Sequence, residues 1–261
     1  MSEAPVLTQF DAATGIAKII FNRPDVMNAI DVPTAQAFRS AVEQTTAQPN
    51  LRCILLMGAG RAFVAGGDVA SFVPDPPGIV NALLDALHPA ILGLRTCAAP
   101  VIAVVRGAAA GAGLSLALGA DLILAGSKAR FVIAYDKIGA SPDCGGTWFL
   151  PHKIGRTRAM EMMLLGQNLD AESALRVGLV SEVVADAELE TRAIALAEKI
   201  AAGPTRAYGA FKNLVDAAFE TPLAEQLEAE RRAFLGATRT QDFAEGVAAF
   251  LDKRAPTFSG K

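Results

Sequence analysis

The sequence predicts an α/β core followed by a helical tail, and three observations predict it. Short aliphatic runs alternate with segments of helical period between residues 16 and 134. Several of those runs, such as 101-VIAVVRG-107, read as short buried strands. From residue 186 to 253 the pattern is almost continuously helical.

In order, 16-IAKIIF-21 reads as a strand and 33-PTAQAFRSAVEQ-44 as a helix opening on proline, whose missing N–H is not needed in a first turn. A short buried strand is expected at 52-RCILLMG-58. The segment 79-IVNALLDALHPAILGLR-95 has helical spacing, with Pro89 as a kink or junction. After the strand at 101–107, 111-GAGLSLALG-119 starts on glycines and continues as a helix, and 121-DLILAG-126 and 130-RFVIA-134 are strands. The tail breaks at 203-GP-204, Pro222 and Gly236, so residues 1–200 are expected to form the core and 201–261 a helical region.

Composition narrows the function classes. The chain has 261 residues, 52% hydrophobic and 20% charged, enough to bury a large core. A net charge of −3 argues against a general grip on nucleic acid. The three cysteines, Cys53, Cys97 and Cys144, have neither CxxC nor metal-ligand spacing, so reduced thiols and no metal are expected. The opening MSEAPVLTQF shows no basic region followed by an apolar run, and a cytoplasmic protein is expected. The apolar stretch 98–126 is interrupted by Arg106, Asp121, Pro100 and several glycines, which fits buried core and no membrane span.

Three segments have the makings of chemistry. In 58-GAGRAFVAGGD-68 a strand enters a glycine-rich turn, where Gly66 and Gly67 permit unusual backbone angles and leave N–H groups uncovered; a plain tight turn is the alternative. In 107-GAAAGAGLSLAL-118 a strand enters a run of tiny residues and a helix begins, exposing N–H groups without intrahelical acceptors; close helix–strand packing would ask for the same small residues. Two such donors, one from each turn, would converge on a carbonyl oxygen and stabilise an enolate or tetrahedral oxyanion. The third segment is 139-GASPDCGGTWFLP-151, where Asp143 stands among small and turn-forming residues with no basic neighbour. It is either a turn or helix-capping acid or a carboxylate aimed into a pocket.

Taken together, 22-NRPDVMNAI-30, 62-AFVAGGD-68, 100-PVIAVVRGAAAGAG-113, 130–166, 178-GLVSEVV-184 and 245-EGVAAFLDKRAPTF-258 resemble the enoyl-CoA hydratase/isomerase family, the crotonase superfamily, in order over nearly the whole chain. The resemblance implies a superhelix of repeated ββα units with a C-terminal helical oligomerisation region, assembled as a homotrimer or a hexamer. It implies acyl-CoA thioester substrates, coenzyme A being part of the substrate and no separate cofactor. The thioester oxygen would sit between the N–H groups of Gly67 and Ala112. Ala65, Gly66 and Asp68 would border the coenzyme A, with Asp68 fixing the turn, and Lys253 would approach its phosphates, across a subunit contact or within the chain.

The resemblance also marks a departure. The family's hydratases hold water between two glutamates, and the matching positions here are Ser115 and Tyr135. A serine is neutral and a tyrosine titrates near about pH 10. Two-carboxylate hydration is therefore not expected. The loop 141-SPDCGGTWFLP-151 is similar to that of the family's ring-epoxide CoA isomerases of phenylacetate breakdown, which places Asp143 as acid/base. The 4-chlorobenzoyl-CoA dehalogenases carry their nucleophilic aspartate at the same position and an active-site histidine where His88 stands, so His88 is a second candidate; a structural histidine is the other reading. The expected reaction is isomerisation of an enoyl- or ring-acyl-CoA by Asp143. The alternatives are a hydratase in which Asp143 alone positions water, and a catalytically silent acyl-CoA-binding protein.

Overall fold

The computed structural model describes residues 4–261. Strands β1 (Val6–Asp11) and β2 (Ile16–Phe21) pair antiparallel. Helix α1 (Val32–Thr46) starts where the Asp31 carboxylate accepts the Thr34 N–H at 2.9 Å, with Pro33 in its first turn. Strand β3 (Cys53–Gly58) returns parallel to β2, and α2 (Pro76–Thr96) follows. The expected junction at Pro89 is not a break: α2 runs through it, losing one intrahelical hydrogen bond.

The next turns are β4 (Val101–Val105), β5 (Ala108–Ala110) and α3 (Ala112–Leu118), then β6 (Leu122–Gly126) and β7 (Arg130–Val132). Helices α4 (Gly146–Ile154) and α5 (Arg156–Leu165), strand β8 (Leu169–Asp170), helix α6 (Ala171–Arg176) and strand β9 (Glu182–Val184) lead to α7 (Leu189–Ala201). The chain closes with α8 (Thr205–Ala217), α9 (Leu223–Ala237) and α10 (Gln241–Leu251).

One sheet has the order β1-β2-β3-β4-β6-β9, parallel beyond β1/β2; a second has the order β5-β7-β8. Two isolated parallel bridges, Val64 with Ala109 and Ile30 with Gly67, continue the second sheet. Each turn therefore places one strand in the long sheet, one short extended segment in the second, and then a helix. This is the expected ββα superhelix.

The long sheet is buried on both faces, which explains its unalternating apolar strands. In β3, Ile54 and Leu56 face a core with Phe21, Phe38 and helices α1 and α2, while Cys53 and Leu55 face α7 through Leu189, Ala193 and Ala197. Each fully buried aliphatic side chain contributes about 1.5–3 kcal/mol. Helix α2 is long and apolar enough to cross a membrane by length and composition, but Leu83, Ala86, Leu87, Ala90 and Leu94 are buried and the helix packs on α1.

Arg52 ties the tail to the core. Its buried guanidinium donates to the carbonyls of Ala201 at 2.9 Å, Gly203 at 2.6 Å and Phe258 at 3.3 Å. Buried Asp242 accepts the N–H groups of Ser259 and Gly260 at 2.6 and 2.8 Å, and Glu245 accepts Thr257 N–H at 2.8 Å. Beyond α10 the chain thus doubles back onto that helix. On α8, Thr205, Gly209 and Lys212 are buried, while Phe211 and Val215, and Phe219 just beyond the helix, are exposed in the single chain.

Candidate active site

The two glycine-rich turns meet. Gly66 has φ +106, and a Cβ there would stand 3.1 Å from the Ala110 carbonyl oxygen. A Cβ on Gly113 would lie 2.0 Å from the Val64 oxygen, so only glycine lets α3 approach this close. The bridge to Ile30 orients Gly67. Ile30 donates to Gly66 and accepts from Asp68, both at 2.8 Å, so the Gly67 N–H points to the opposite side, where the second sheet continues into α3. Ala112 is the first residue of α3, and its N–H has no intrahelical acceptor. Ala65, Gly66, Gly67 and Ala112 all line one cavity of about 480 Å³.

Asn28 holds the outer edge of this turn. Fully buried, it donates from Nδ2 to the carbonyls of Ala59 and Ala62 at 2.9 Å and Phe63 at 3.0 Å, and accepts the Arg23 N–H at 2.8 Å through Oδ1. The Asp68 carboxylate turns to Arg23 at 3.3 Å, which also pairs with Asp31 at 3.1 Å. Asp68 braces the turn without lining the cavity.

Asp143 and Tyr135 close the cavity. The structure separates the two readings of Asp143. Helix α4 begins at Gly146, inside what reads as loop, and its cap is Gly145 with no side-chain hydrogen bond. Asp143 is therefore no capping residue; its Oδ1 accepts the Tyr135 hydroxyl. The buried Ser115 hydroxyl lies beside the Tyr135 phenol. Burial and then the adjacent Asp143 charge push the phenol well above its ordinary range, so it is a neutral donor. Ala134 and Cys144, neighbours of the two partners, are both left-handed at φ 64 and 52, a strain of about 1 kcal/mol or more each.

A second cavity, of about 460 Å³, lies behind the pair. It shares Gly111, Tyr135, Ser141 and Pro142 with the first, and Ser115 opens onto it with apolar α4 and α5 residues and Arg156. Among the described residues, Asp143 is the one carboxylate lining either cavity.

Two anticipated residues are not brought here. His88 is exposed on α2, and the cavity is lined instead by Val80, Leu83, Leu84 and Leu87. One residue along a helix is a rotation of about 100°, which turns His88 away from the face that Leu87 presents. The i, i+3, i+4, i+7 spacing of those four residues was legible and gives the correct face. Lys253 is exposed just beyond α10 and lines neither cavity. The bracing role of Asn28 was missed, because a buried asparagine looks like any other in 22-NRPDVMNAI-30.

Known proteins resemble the chain over nearly its whole length. Residues 11–261 match the sequence pattern described as enoyl-CoA hydratase/isomerase. The chain is 40% identical to the 1,2-epoxyphenylacetyl-CoA isomerase of Escherichia coli K12, over 95% of this chain and 96% of that one. It is 39% identical to a probable enoyl-CoA hydratase of Rhodobacter capsulatus, over 97% and 98%. The solved structure of an enoyl-CoA hydratase from Polaromonas sp. JS666 superposes with a TM-score of 0.90 at 32% identity, covering 97% of this chain and 98% of the other.

Proposed function

The chain belongs to the enoyl-CoA hydratase/isomerase family, and from that premise we propose that it isomerises an enoyl- or ring-acyl-CoA thioester with Asp143 as the single acid/base. The observation that carries this reading is the count of carboxylates. Asp143 is the one acid on either cavity among the described residues, and the positions of the hydratase glutamates are a buried serine and a buried tyrosine. Identities of 40% to an isomerase and 39% to a hydratase do not choose between the reactions; the side chains support isomerisation.

In the proposed reaction the thioester oxygen lies between the N–H groups of Gly67 and Ala112. The Asp143 carboxylate takes a proton from the carbon alpha or gamma to the carbonyl. The electron pair moves into the dienolate, whose oxygen those two donors stabilise. The carboxylic acid then returns the proton at another carbon, and the enzyme is regenerated with no water consumed. Isomerisation needs one such group, whereas addition of water also requires a base to activate it.

The test is incubation of the protein with a set of enoyl- and ring-acyl-CoA thioesters in deuterated water. The reading expects a moved double bond or an opened ring at unchanged composition, with deuterium at the alpha or gamma carbon. A product heavier by one water, formed rapidly from a trans-2-enoyl-CoA, would replace it with the hydratase reading.

A further inference from the structure

Ser115, Tyr135 and Asp143 come from three different elements, and Tyr135 stands between the other two, beside Ser115 and donating to Asp143. We propose that Tyr135 is a positioning residue, which fixes the Asp143 carboxylate against the two backbone donors, and that Ser115 acts only through Tyr135. This rests on the acid/base reading of Asp143 and adds what holds that group in place.

The first argument is occupancy. Tyr135 donates to Oδ1 of Asp143, leaving Oδ2 for the transferred proton. A carboxylate on a turn would otherwise rotate between equivalent orientations and spend little time aimed at one carbon. The second is the nature of the donor. A phenol in so buried a place stays protonated and gives its proton to one acceptor. The Ser115 hydroxyl, 2% exposed, lies beside the phenol and donates weakly to the Gly111 carbonyl at 3.5 Å, so it packs against the ring and does not reach the carboxylate.

The third argument is mechanical. A Cβ on Gly111 would lie 4.0 Å from Tyr135 Cζ and 3.7 Å from the Gly66 Cα. The ring therefore rests where the two glycine turns meet, directly before Ala112. The same side chain stands beside Gly111, the residue before the Ala112 donor, and holds the carboxylate through its hydroxyl. The left-handed residues Ala134 and Cys144 flank the two ends of this hydrogen bond, and strain of that kind persists where surrounding contacts over-determine it. The other titratable groups nearby are Cys144, whose thiol burial pushes up, and Arg156 at the start of α5.

The experiment compares Tyr135→Phe, Ser115→Ala, the double variant and Asp143→Asn in kcat, KM and the pH dependence of kcat. Tyr135→Phe should lower kcat about 10- to 100-fold with KM within about twofold, since the substrate's nucleotide end is held elsewhere. Loss of a hydrogen bond to the charged carboxylate should also move the acid limb of the profile up by about one pH unit. Ser115→Ala should lower kcat less, and the double variant should match Tyr135→Phe, because Ser115 has no other route to the carboxylate. If Tyr135→Phe does not fold, 3-fluorotyrosine at position 135, a stronger donor, should move the acid limb down. An unmoved acid limb in either variant overturns the proposal, as does a double variant whose losses multiply. An inactive Asp143→Asn beside an unimpaired Tyr135→Phe sinks this inference alone, whereas an active Asp143→Asn sinks the acid/base reading beneath it.

Discussion

The Tyr135 hydroxyl donates to Oδ1 of Asp143, a residue eight positions further along the chain, across the wall between two cavities. The buried Cys144 thiol also bears on the carboxylate and Ser115 on the phenol, and the acid is held at Oδ1 by Tyr135.

On the proposed mechanism, Asp143→Asn keeps the acceptor for Tyr135 and removes the titrating group. Turnover should fall about 100- to 10,000-fold while affinity for the CoA thioester changes little. Solvent deuterium should no longer enter the substrate. Turnover and exchange by the variant at the parent rate would remove Asp143 from the chemistry.

Ala112→Pro tests the donor at the start of α3. Proline is accommodated at a first helical position. Gly111 has φ 52 and ψ −126, the mirror image of the extended angles a residue before proline prefers, and glycine adopts it freely. The fold should hold while one N–H disappears, at a loss of about 3 kcal/mol of transition-state stabilisation. A folded variant with unchanged kcat would exclude this N–H from the reaction.

Asn28→Ala should destabilise the protein by at least about 3 kcal/mol, because it strands several buried backbone groups, each worth roughly 1–3 kcal/mol. Denaturant unfolding measures this directly. A loss below about 1 kcal/mol would mean that water replaces the side chain.

The pH response of the tail follows from Glu245. Arg254 first, then the Thr257 N–H, draws its carboxyl from the ordinary 4.5 down to about 2. A depressed folded value means that the stabilisation is complete above about pH 4.5 and is lost as pH falls toward 2. The Thr257 amide resonance should hold its shift at neutral pH and move in that acid window. Movement centred near pH 7 would point to another group.

Cys53 lies under the sheet, its thiol pushed up to about 12 chiefly by burial and then by Asp121. Cys144 is buried and raised too, and Cys97 is the most accessible of the three. A thiol reagent at pH 8 should label Cys97 first and leave the other two until the protein unfolds. Rapid native labelling of Cys144 would show that the turn beside Asp143 opens.

Phe211, Phe219 and Phe250 are 66%, 69% and 83% exposed in the single chain, in the helical region expected to mediate assembly. Light scattering should return a trimer or hexamer at micromolar concentration. A monomer would leave these rings without a cover and Lys253 without a neighbouring subunit's ligand to reach.

The long-sheet strands were legible because burial on both faces writes an uninterrupted aliphatic run, as in 101-VIAVV-105. The tail helices were legible by period, with breaks at Gly203, Pro204 and Pro222. Short elements were not: β8 and β9 have two and three residues, too few to show a period. Helix α4 hid behind Pro151, which reads as a stop yet sits within its nine residues. At the site, the two glycine-rich turns were legible. The Tyr135–Asp143 bond was not, because it depends on left-handed backbone at Ala134 and Cys144, where no turn rule expects an alanine or a cysteine.

The backbone placement of Gly67 and Ala112 has a consequence for how such a protein can change over generations. A grip made of main-chain N–H groups is invisible to most point mutations, since nearly every replacement at Ala112 keeps the atom that matters. The atoms that would move protons lie on separate side chains, at residues 115, 135 and 143. On the proposed mechanism, hold on the thioester and choice of reaction are thereby inherited independently, and a lineage would exchange one reaction for another without passing through an ancestor unable to bind its substrate.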